Sequence, residues 1–321
     1  MPEPTTHRFR AMGSDCEVTL VGSDEAGLLA GAQQLVEDLE QRWSRFRPDS
    51  TLCSLNAGAG TDVVVDRETA DLVGLALDAW AATGGRFDPT VLDALEAIGY
   101  RRSFEQAPVV PGVAAAAPAP GMGGVRIDPV AASVRLPVGV RLDLGGIGKG
   151  RAADLVVAHL VERAVAGVCV DLGGDVRVAG VPPHGAGAWA VAVDDPLDPG
   201  EDLAVVHLLD GAVTTSSRLR RRWPTAAGEE AHHLVDPGTG RPAASGLVSV
   251  TVVSAGAAWG EVHAKAALVA GPDAGARLLD GAGLAGLLVT DDGQVLRAGG
   301  IDHFCESTVR DRAGGRREQA R

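Results

Sequence analysis

The segment between residues 138 and 174 constrains the fold more than any other part of the chain. Its sequence predicts a strand (VRLDLGG), a helix (GKGRAADLVVAHLVERAVAG) and a second strand (VCVDLGG). Each strand runs directly into a pair of glycines. We therefore expect a β–turn–α–β unit in which a glycine-opened corner follows each strand.

The first corner, Asp143-Leu-Gly-Gly-Ile-Gly-Lys-Gly150, is suited to a phosphate group. Glycines let a ligand approach the backbone, and the free amides and dipole of the next helix favour an anion. Lys149 adds a point charge. The alternative interpretation is a tight turn with a solvated lysine. The spacing matches neither G-x-G-x-x-G nor a P-loop.

The second corner, Asp171-Leu-Gly-Gly-Asp175, repeats the DLGG pattern after the next strand. Two adjacent strand ends that carry glycines and carboxylates would form one open cleft. A structural turn would explain the same residues, so both interpretations stay open at this point.

The rest of the chain predicts a mixture of helices and strands. A strand at Glu17–Leu20 precedes a helix that reaches Trp43, and Asp66 opens a second helix that Gly84-Gly85 ends. Further strands are expected at 189–193, 203–208, 247–253 and 284–290, and further helices at 257–269 and 273–281.

These elements alternate too irregularly for a doubly wound sheet. The predicted fold class is α+β: a two-lobed single body with mixed or antiparallel sheets flanked by helices. We expect this body to span residues 1–309 and a disordered, basic tail to occupy residues 310–321.

Composition limits the kind of partner that the protein can have. The chain has 321 residues, of which 45% are hydrophobic, and a formal net charge of −13, which excludes the broad basic field that nucleic acids need. No apolar run is long enough to span a membrane. Four widely spaced cysteines and no visible signal peptide lead us to expect a cytoplasmic protein with free thiols.

A histidine next to a turn is a third candidate for chemistry. His233 lies three residues before an Asp-Pro turn in His233-Leu-Val-Asp-Pro-Gly-Thr-Gly-Arg-Pro242. Its side chain can exchange protons near neutral pH. A structural role in the core is the alternative for a single histidine.

Together with other short motifs, these elements resemble the FAD:protein FMN transferases, also called the ApbE family. The motifs follow the expected order along nearly the whole chain: Ala11–Ser14, Phe46–Ser50 with Leu55-Asn56, Gly85–Thr90, Asp143–Gly150 with Ala152 and Asp154, Gly173–Asp175, Thr214–Ser216 with arginines 220–222, His233–Pro242 and Val250–Gly271.

The resemblance implies that the protein binds FAD as a substrate in a deep cleft. With Mg²⁺, it would transfer FMN to a Thr or Ser hydroxyl of an acceptor flavoprotein and release AMP. The implied site residues are Met12 and Phe46 at the isoalloxazine, Arg86, Phe87 and Asp88 on the adenine side, Gly145, Lys149, Arg151, Asp175 and Lys265 at the dinucleotide, Leu234 packed on it, and His233 as the base for the acceptor hydroxyl.

The implied metal site departs from the family pattern. In the family that this chain resembles, a backbone carbonyl, an Asp and, four residues later, a Thr typically hold the cation. The corresponding residues of this chain are Gly148, Glu261 and Lys265. An ammonium cannot ligate a cation. Either Lys265 takes the place of the metal beside the pyrophosphate, or it turns away and Glu261 still holds the ion. His263 is a further candidate ligand for a softer metal.

Other functions are compatible with parts of the same pattern. The Glu261/Lys265 pair suggests a catalytically lapsed FAD-binding protein that serves as a carrier or sensor. An FAD pyrophosphatase would use the same site with water as the nucleophile. A nicotinamide dehydrogenase is disfavoured, because the chain lacks its fingerprint glycines and the acidic residue about 20 positions further on.

Overall fold

Most of the described chain lies in helices and antiparallel strands. The computed structural model describes residues 3–22, 26–103, 117–224 and 230–305, so the predicted tail at 310–321 lies outside the described residues. The strands, numbered in chain order, are β1 (Pro4–Ala11), β2 (Ser14–Val21), β3 (Asp62–Val64), β4 (Arg126–Asp128), β5 (Ser133–Arg135), β6 (Gly167–Leu172), β7 (Asp175–Gly180), β8 (Trp189–Asp194), β9 (Asp202–Leu208), β10 (Gly211–Ser217), β11 (Arg222–Pro224), β12 (Glu230–His232), β13 (Val235–Asp236), β14 (Arg241–Pro242), β15 (Leu247–Ser254), β16 (Ala285–Thr290) and β17 (Val295–Ala298).

Five of the seven helices in the described part of the chain match the predicted positions. The helices are α1 (Ala26–Trp43), α2 (Thr51–Ala57), α3 (Arg67–Ala82), α4 (Leu92–Ala97), α5 (Gly148–Val161), α6 (Ala257–Ala270) and α7 (Pro272–Gly281), with short 3-10 turns at Pro89–Val91, Pro183–Gly185 and Ile301–His303. Those that match are α1, α3, α5, α6 and α7, whereas α2 and α4 were not predicted. Within the described segments, no helix combines the length and the apolar character needed to cross a bilayer.

One eight-stranded sheet organises the fold. Its order is β1-β2-β6-β7-β10-β15-β16-β17, and every neighbouring pair is antiparallel. Smaller sheets comprise β3-β5-β4 and the pairs β8-β9, β11-β12 and β13-β14. The α+β class with antiparallel sheets is therefore confirmed.

Both faces of the large sheet are buried, because its central strands carry apolar side chains on both sides. On one face, Val18 and Val170 belong to a core with α1, α3 and α5, and Val250 packs with α6 and α7. On the other face, Val213 and Leu287 pack with the β8-β9 pair. Alternate side chains of a strand point to opposite faces, so this arrangement explains why β15 is buried along its whole length.

Helices α5 and α6 cap each other. Neither has a side-chain cap of its own. The Asp154 carboxylate of α5 accepts the Ala257 and Ala258 amides at the start of α6, at 2.8 and 3.0 Å. In return, the Glu261 carboxylate of α6 accepts the Gly150 amide in the first turn of α5, at 2.9 Å. Two carboxylates thus satisfy helix-terminal amides and fix where the two helices begin relative to each other.

The strand predicted for VRLDLGG is wrong. Residues 140–144 alternate in burial like a strand but have no neighbouring strand. The Leu142 amide donates to the Asn56 side chain and the Leu142 carbonyl accepts from it, at 2.8 and 2.9 Å, while the Asp143 amide donates to Pro89. The Asn56 side chain and the turn at Pro89 therefore supply the hydrogen bonds that a neighbouring strand would supply. The helix and the second strand of the predicted unit are confirmed as α5 and β6.

We predict that Gly150→Ala destabilises the protein by about 1–3 kcal/mol. A Cβ on Gly150 would stand 2.5 Å from the Ala257 carbonyl oxygen, which is backbone and cannot rotate away. Gly31→Ala in α1 is the matched control: nothing lies within 4 Å of its added Cβ, so helix propensity should stabilise the protein by about 0.5–1 kcal/mol. Urea unfolding of both variants measures the difference, and equal shifts would contradict the close α5–α6 contact.

Candidate functional site

A cavity of about 510 Å³ collects residues from distant parts of the sequence. Its volume is typical of small-molecule sites. The predicted site residues that line it are Met12, Phe46, Arg86, Phe87, Asp88, Gly145, Gly148, Lys149, His233, Leu234 and Lys265. Segments that are separated by more than 200 residues in the chain therefore meet at one place.

The tip of the β1-β2 hairpin reaches the cavity. Its two turn residues, Met12 and Gly13, have φ angles of 51° and 67°, in the left-handed region that only Gly, Asn and Asp enter readily. Arg221 also has a positive φ, 50°, and donates hydrogen bonds to the Gly13 carbonyl (3.1 Å) and the Tyr100 hydroxyl (3.4 Å). Backbone strain in two cavity residues is typical of functional sites.

Aromatic side chains form one wall. The ring centroids of Phe46 and Tyr100 are 5.6 Å apart, and those of Tyr100 and Trp223 are 5.4 Å apart. The Arg45 guanidinium lies over Phe46 and Tyr100, 4.1 and 4.7 Å from their ring centroids. This wall offers flat apolar surface and a cation, and Tyr100, the only tyrosine of the chain, is a site residue that the sequence did not predict.

A buried ion pair ties this wall to the glycine-rich corner. Arg45 Nε lies 2.8 Å from Asp143 Oδ2, and the two side chains are only 5% and 12% exposed. Asp143 Oδ1 also accepts the Gly145 amide at 2.7 Å, and Arg45 donates to the Tyr100 carbonyl at 2.8 Å. Asp143 therefore sets the conformation of the corner, and Arg45 connects it to the wall.

Phe87 and Asp88 approach the cavity from the end of α3. The Asp88 carboxylate accepts hydrogen bonds from the Thr90 amide and hydroxyl (2.8 and 2.6 Å) and from Trp80 Nε1 (3.1 Å). Burial raises the pKa of Asp88, although these donors act in the opposite direction. Asp88 thus holds the turn that carries Phe87 into the cavity.

Four charged side chains meet below the corner, and we name them the Glu261 cluster: Lys149, Asp175, Glu261 and Lys265. Glu261 Oε1 accepts from both ammonium groups at 3.0 Å, while its Oε2 accepts the Gly150 amide. Lys149 also forms a short contact with Asp175. The side chains of Asp175 and Glu261 are 3% and 1% exposed, and those of Lys149 and Lys265 are 17% and 18% exposed.

The charges of this cluster shift its acidities. Burial alone would raise the pKa of Glu261, but Lys149 and Lys265 outweigh burial and lower the pKa to about 2. For Asp175, burial is the larger effect and raises the pKa, while Lys149 opposes it. Glu261 is therefore ionised at neutral pH and holds two ammonium groups at the cavity floor.

These donors do not fit Mg²⁺. Both oxygens of Glu261 already accept N–H groups, two of which carry a positive charge, and Mg²⁺ requires an octahedron of oxygen ligands. The described segments contain no group of three His, Cys, Asp or Glu side chains that could hold a metal. Ligation of a metal by Gly148 and Glu261 therefore stays a prediction, which the ion pairs of Glu261 disfavour.

The interpretation in which Lys265 turns away from the site is wrong. Lys265 lines the cavity, and its Cδ and Cε lie 3.4 and 3.5 Å from where a Cβ on Gly146 would stand. The side chain thus passes along the glycine-rich corner. His263 is buried on another side of α6, where its Nδ1 lies 2.8 Å from the Trp259 carbonyl oxygen, so it does not join the cluster.

His233 lines the same cavity as Lys149 and Lys265. Burial, together with the charges of Arg221 and Lys265, holds the pKa of His233 well below its usual range. Its Nδ1 is buried without a hydrogen-bond partner among the described residues. The imidazole is therefore neutral at pH 7, with one ring nitrogen uncommitted.

Three predicted site residues do not line the cavity: Arg151, Asp175 and Glu261. Asp175 and Glu261 lie beneath its floor and act through the two lysines. Arg151 lies at the end of the first turn of α5, where its charge acts on Asp154. The second corner also lies behind the floor, because a Cβ on Gly173 would stand 3.9 Å from Lys149 Cδ. The two corners meet through Lys149 and Asp175 rather than across open space.

Comparison of the sequence with known proteins identifies the family. The sequence profile of the ApbE family matches residues 12–288. The chain is 31% identical to an FAD:protein FMN transferase of Rhodobacter capsulatus over 92% of its own length, and it spans 57% of that relative. It is 30% identical to an FAD:protein FMN transferase of Treponema pallidum, with 90% of this chain and 85% of the relative covered.

A solved structure shares the fold. The crystal structure of the ApbE protein from Thermotoga maritima superposes with a TM-score of 0.84 at 26% identity, covering 95% of this chain and 100% of that one.

We predict that Arg45→Met destabilises the protein by about 3–5 kcal/mol, because it leaves the Asp143 carboxylate buried without its partner. Arg8→Met is the matched control: Arg8 and Glu17 are 78% and 39% exposed, so breaking their pair should cost about 0–1 kcal/mol. Urea unfolding measures both values. Asp143→Asn combined with Arg45→Met should recover part of the loss, and an Arg45 effect no larger than the Arg8 effect would contradict the structural role of the pair.

Proposed function

Because the chain belongs to the ApbE family, we propose that it transfers the FMN half of FAD to a hydroxyl group of an acceptor protein and releases AMP. The observation that carries this proposal is the meeting of an aromatic wall, a glycine-rich corner and two ammonium groups in one cavity. FAD needs all three, since it joins flat apolar rings through a diphosphate. The acceptor residue is proposed to be Thr or Ser, and the cytoplasmic location, supported by four free cysteines, belongs to the same proposal.

The residues take the following parts in the proposed reaction. Met12 and Phe46 contact the isoalloxazine, and Arg86 and Phe87 border the adenine side with the turn that Asp88 holds. Leu234 packs on the bound dinucleotide. Gly145 leaves room at the corner for the diphosphate, which the ammonium group of Lys149 stabilises. Asp175 positions Lys149 from beneath.

The reaction exchanges a phosphoanhydride bond of FAD for a phosphodiester bond to the acceptor. The acceptor oxygen attacks the phosphorus atom on the FMN side, and the bond from that phosphorus to the bridging oxygen breaks. AMP leaves with the bridging oxygen. The proton of the acceptor hydroxyl passes to His233, whose neutral imidazole can receive it, and from there to AMP or water. Positioning and charge stabilisation carry most of the catalysis in such transfers.

The direct test is incubation of the protein with FAD and a small flavoprotein that carries an acceptor Thr. We expect equal amounts of AMP and of acceptor whose mass has increased by FMN less one water, and no increase for an acceptor whose Thr is replaced by Val. AMP accompanied by free FMN would identify a pyrophosphatase instead. Bound FAD without any AMP would identify a carrier or sensor, and either result would overturn the proposed transfer.

The pH profile tests the part of His233. Because its pKa is lowered, the neutral form persists below pH 6.5, so the acid limb of kcat/KM is expected below pH 6.5. Bound diphosphate adds negative charge near the ring, so the acid limb of kcat should lie at a higher pH than that of kcat/KM. His233→Gln should lower kcat by about 100-fold or more and remove the limb. A limb that His233→Gln leaves in place would assign it to another group.

A further inference from the structure

The two lysines of the Glu261 cluster are the only lysines in the protein. Of 29 basic side chains in the sequence, 27 are arginine and two are lysine, Lys149 and Lys265. They are 116 residues apart in the chain, yet both donate to the same Glu261 oxygen at 3.0 Å. A chain that uses arginine at every other basic position thus places its two ammonium groups side by side.

The chemistry of the two side chains explains why lysine is retained here. An ammonium is a compact point charge with three donors that can rotate, whereas a guanidinium is a planar fork that needs more room. A Cβ on Gly146 would stand 3.4 Å from Lys265 Cδ and 3.2 Å from Phe87 Cε2, so Lys265 occupies space that a side chain at this corner would need. The compact ammonium group of Lys265 therefore suits the space between this corner and Glu261 better than a guanidinium would.

The ammonium groups have hydrogen atoms left for a ligand. Two ammonium groups carry six N–H bonds. Within the described segments, Lys149 uses two of them, on Asp175 and Glu261, and Lys265 uses one, on Glu261. Three N–H donors remain, and both side chains line the cavity. Glu261 holds both nitrogen atoms, which leaves the remaining donors for a ligand in the cavity.

The charge balance of the cluster disfavours a further cation. Two ammonium groups are opposed by the carboxylates of Asp175 and Glu261, both of which are buried beneath the cavity floor. A divalent ion at Glu261 would have to displace an ammonium group and would repel the other. A bound diphosphate instead brings two negative charges to the exposed side of two positive charges.

We propose that Lys149 and Lys265 together supply the positive charge for the FAD diphosphate that a divalent metal would otherwise supply, so that FAD binding and FMN transfer in this protein are independent of metal. Glu261 is the positioning residue that holds both ammonium groups. The transfer part rests on the proposed function, whereas the binding part does not. During transfer, the P–O bond to AMP breaks and the charge that develops on the bridging oxygen and the departing phosphate is stabilised by Lys265 and Lys149.

FAD binding in EDTA tests the proposal without turnover. Titrations that follow flavin fluorescence should give the same Kd in EDTA and in Mg²⁺ for the unmodified protein. Lys265→Met should weaken FAD binding in EDTA by about tenfold or more, because it removes a charge-assisted hydrogen bond, and Lys265→Arg should weaken it less. Arg126→Met, an exposed cation on β4 that does not line the cavity, is the matched control for net charge and should leave Kd unchanged.

Amine labelling gives a second readout that needs no activity. Because the sequence has no other lysines, peptide mass spectrometry follows acylation of Lys149 and Lys265 separately, with the N-terminal amine as an internal reference. Saturating FAD in EDTA should slow acylation of both lysines several-fold and leave the N-terminal amine unaffected. Unchanged labelling of Lys265 under saturating FAD would overturn its contact with the diphosphate.

Turnover separates the proposal from the proposed function. Acceptor modification in EDTA at a rate within about twofold of that in Mg²⁺ supports both. Modification that EDTA abolishes and Mg²⁺ restores overturns metal independence but leaves the proposed function intact. If neither condition yields modified acceptor, the proposed function fails. The ammonium site is still supported in that case if the Kd values and the labelling rates change as predicted for FAD binding.

Glu261→Asp combined with Lys265→Thr should make FAD binding depend on Mg²⁺. Equal Kd values with and without Mg²⁺ would count against the exchange of metal for ammonium.

Discussion

The exchange of caps between α5 and α6 is the interaction on which the site depends. Glu261 of α6 accepts the Gly150 amide of α5, and Asp154 of α5 accepts the first amides of α6. Each helix therefore begins at a place that the other determines. Because Gly150 carries no side chain, the two backbones approach closely enough for these bonds to form. The cavity floor is the surface of this helix pair.

The same carboxylate has a second consequence for the ligand. A helix N-terminus is a ready anion site only while its amides are free. At α5, Glu261 occupies the Gly150 amide, so the helix end itself offers less to a phosphate than the sequence predicted. In the proposed site, the two ammonium groups that Glu261 holds supply the positive charge instead. Two side chains there replace part of the anion site that a free helix end would offer. A side chain can be directed at a particular oxygen of the ligand.

Local sequence patterns predicted most elements because they have local causes. Asp66 opens α3 because its side chain accepts the Thr69 amide, and the helical period of α1 ends at Trp43. The segment that ends at Leu144 misled the prediction because its burial alternates as in a strand, while its hydrogen-bond partners, Asn56 and Pro89, come from elsewhere in the chain. Periodicity reports which face is buried; it does not report which partner supplies the hydrogen bonds.

The site was predicted through short motifs, and the residues it missed depend on tertiary contacts. Arg45, Tyr100 and Arg221 lie in no glycine-rich corner and only acquire a role when the fold brings them together. The single tyrosine was a usable signal, because a lone side chain of its kind in an aromatic-poor chain is unusual. The sequence predicted Lys149 and Lys265 at the dinucleotide, but only the structure shows that both donate to the same Glu261 oxygen.

A crystal structure of the protein with FAD, grown in excess Mn²⁺, tests the central claim most directly, because Mn²⁺ substitutes for Mg²⁺ and is located by its anomalous scattering. The ammonium account predicts diphosphate oxygens within hydrogen-bonding distance of the Nζ atoms of Lys149 and Lys265, with no anomalous peak at Glu261. An anomalous peak ligated by a Glu261 oxygen, with Lys265 displaced from the corner, would contradict it.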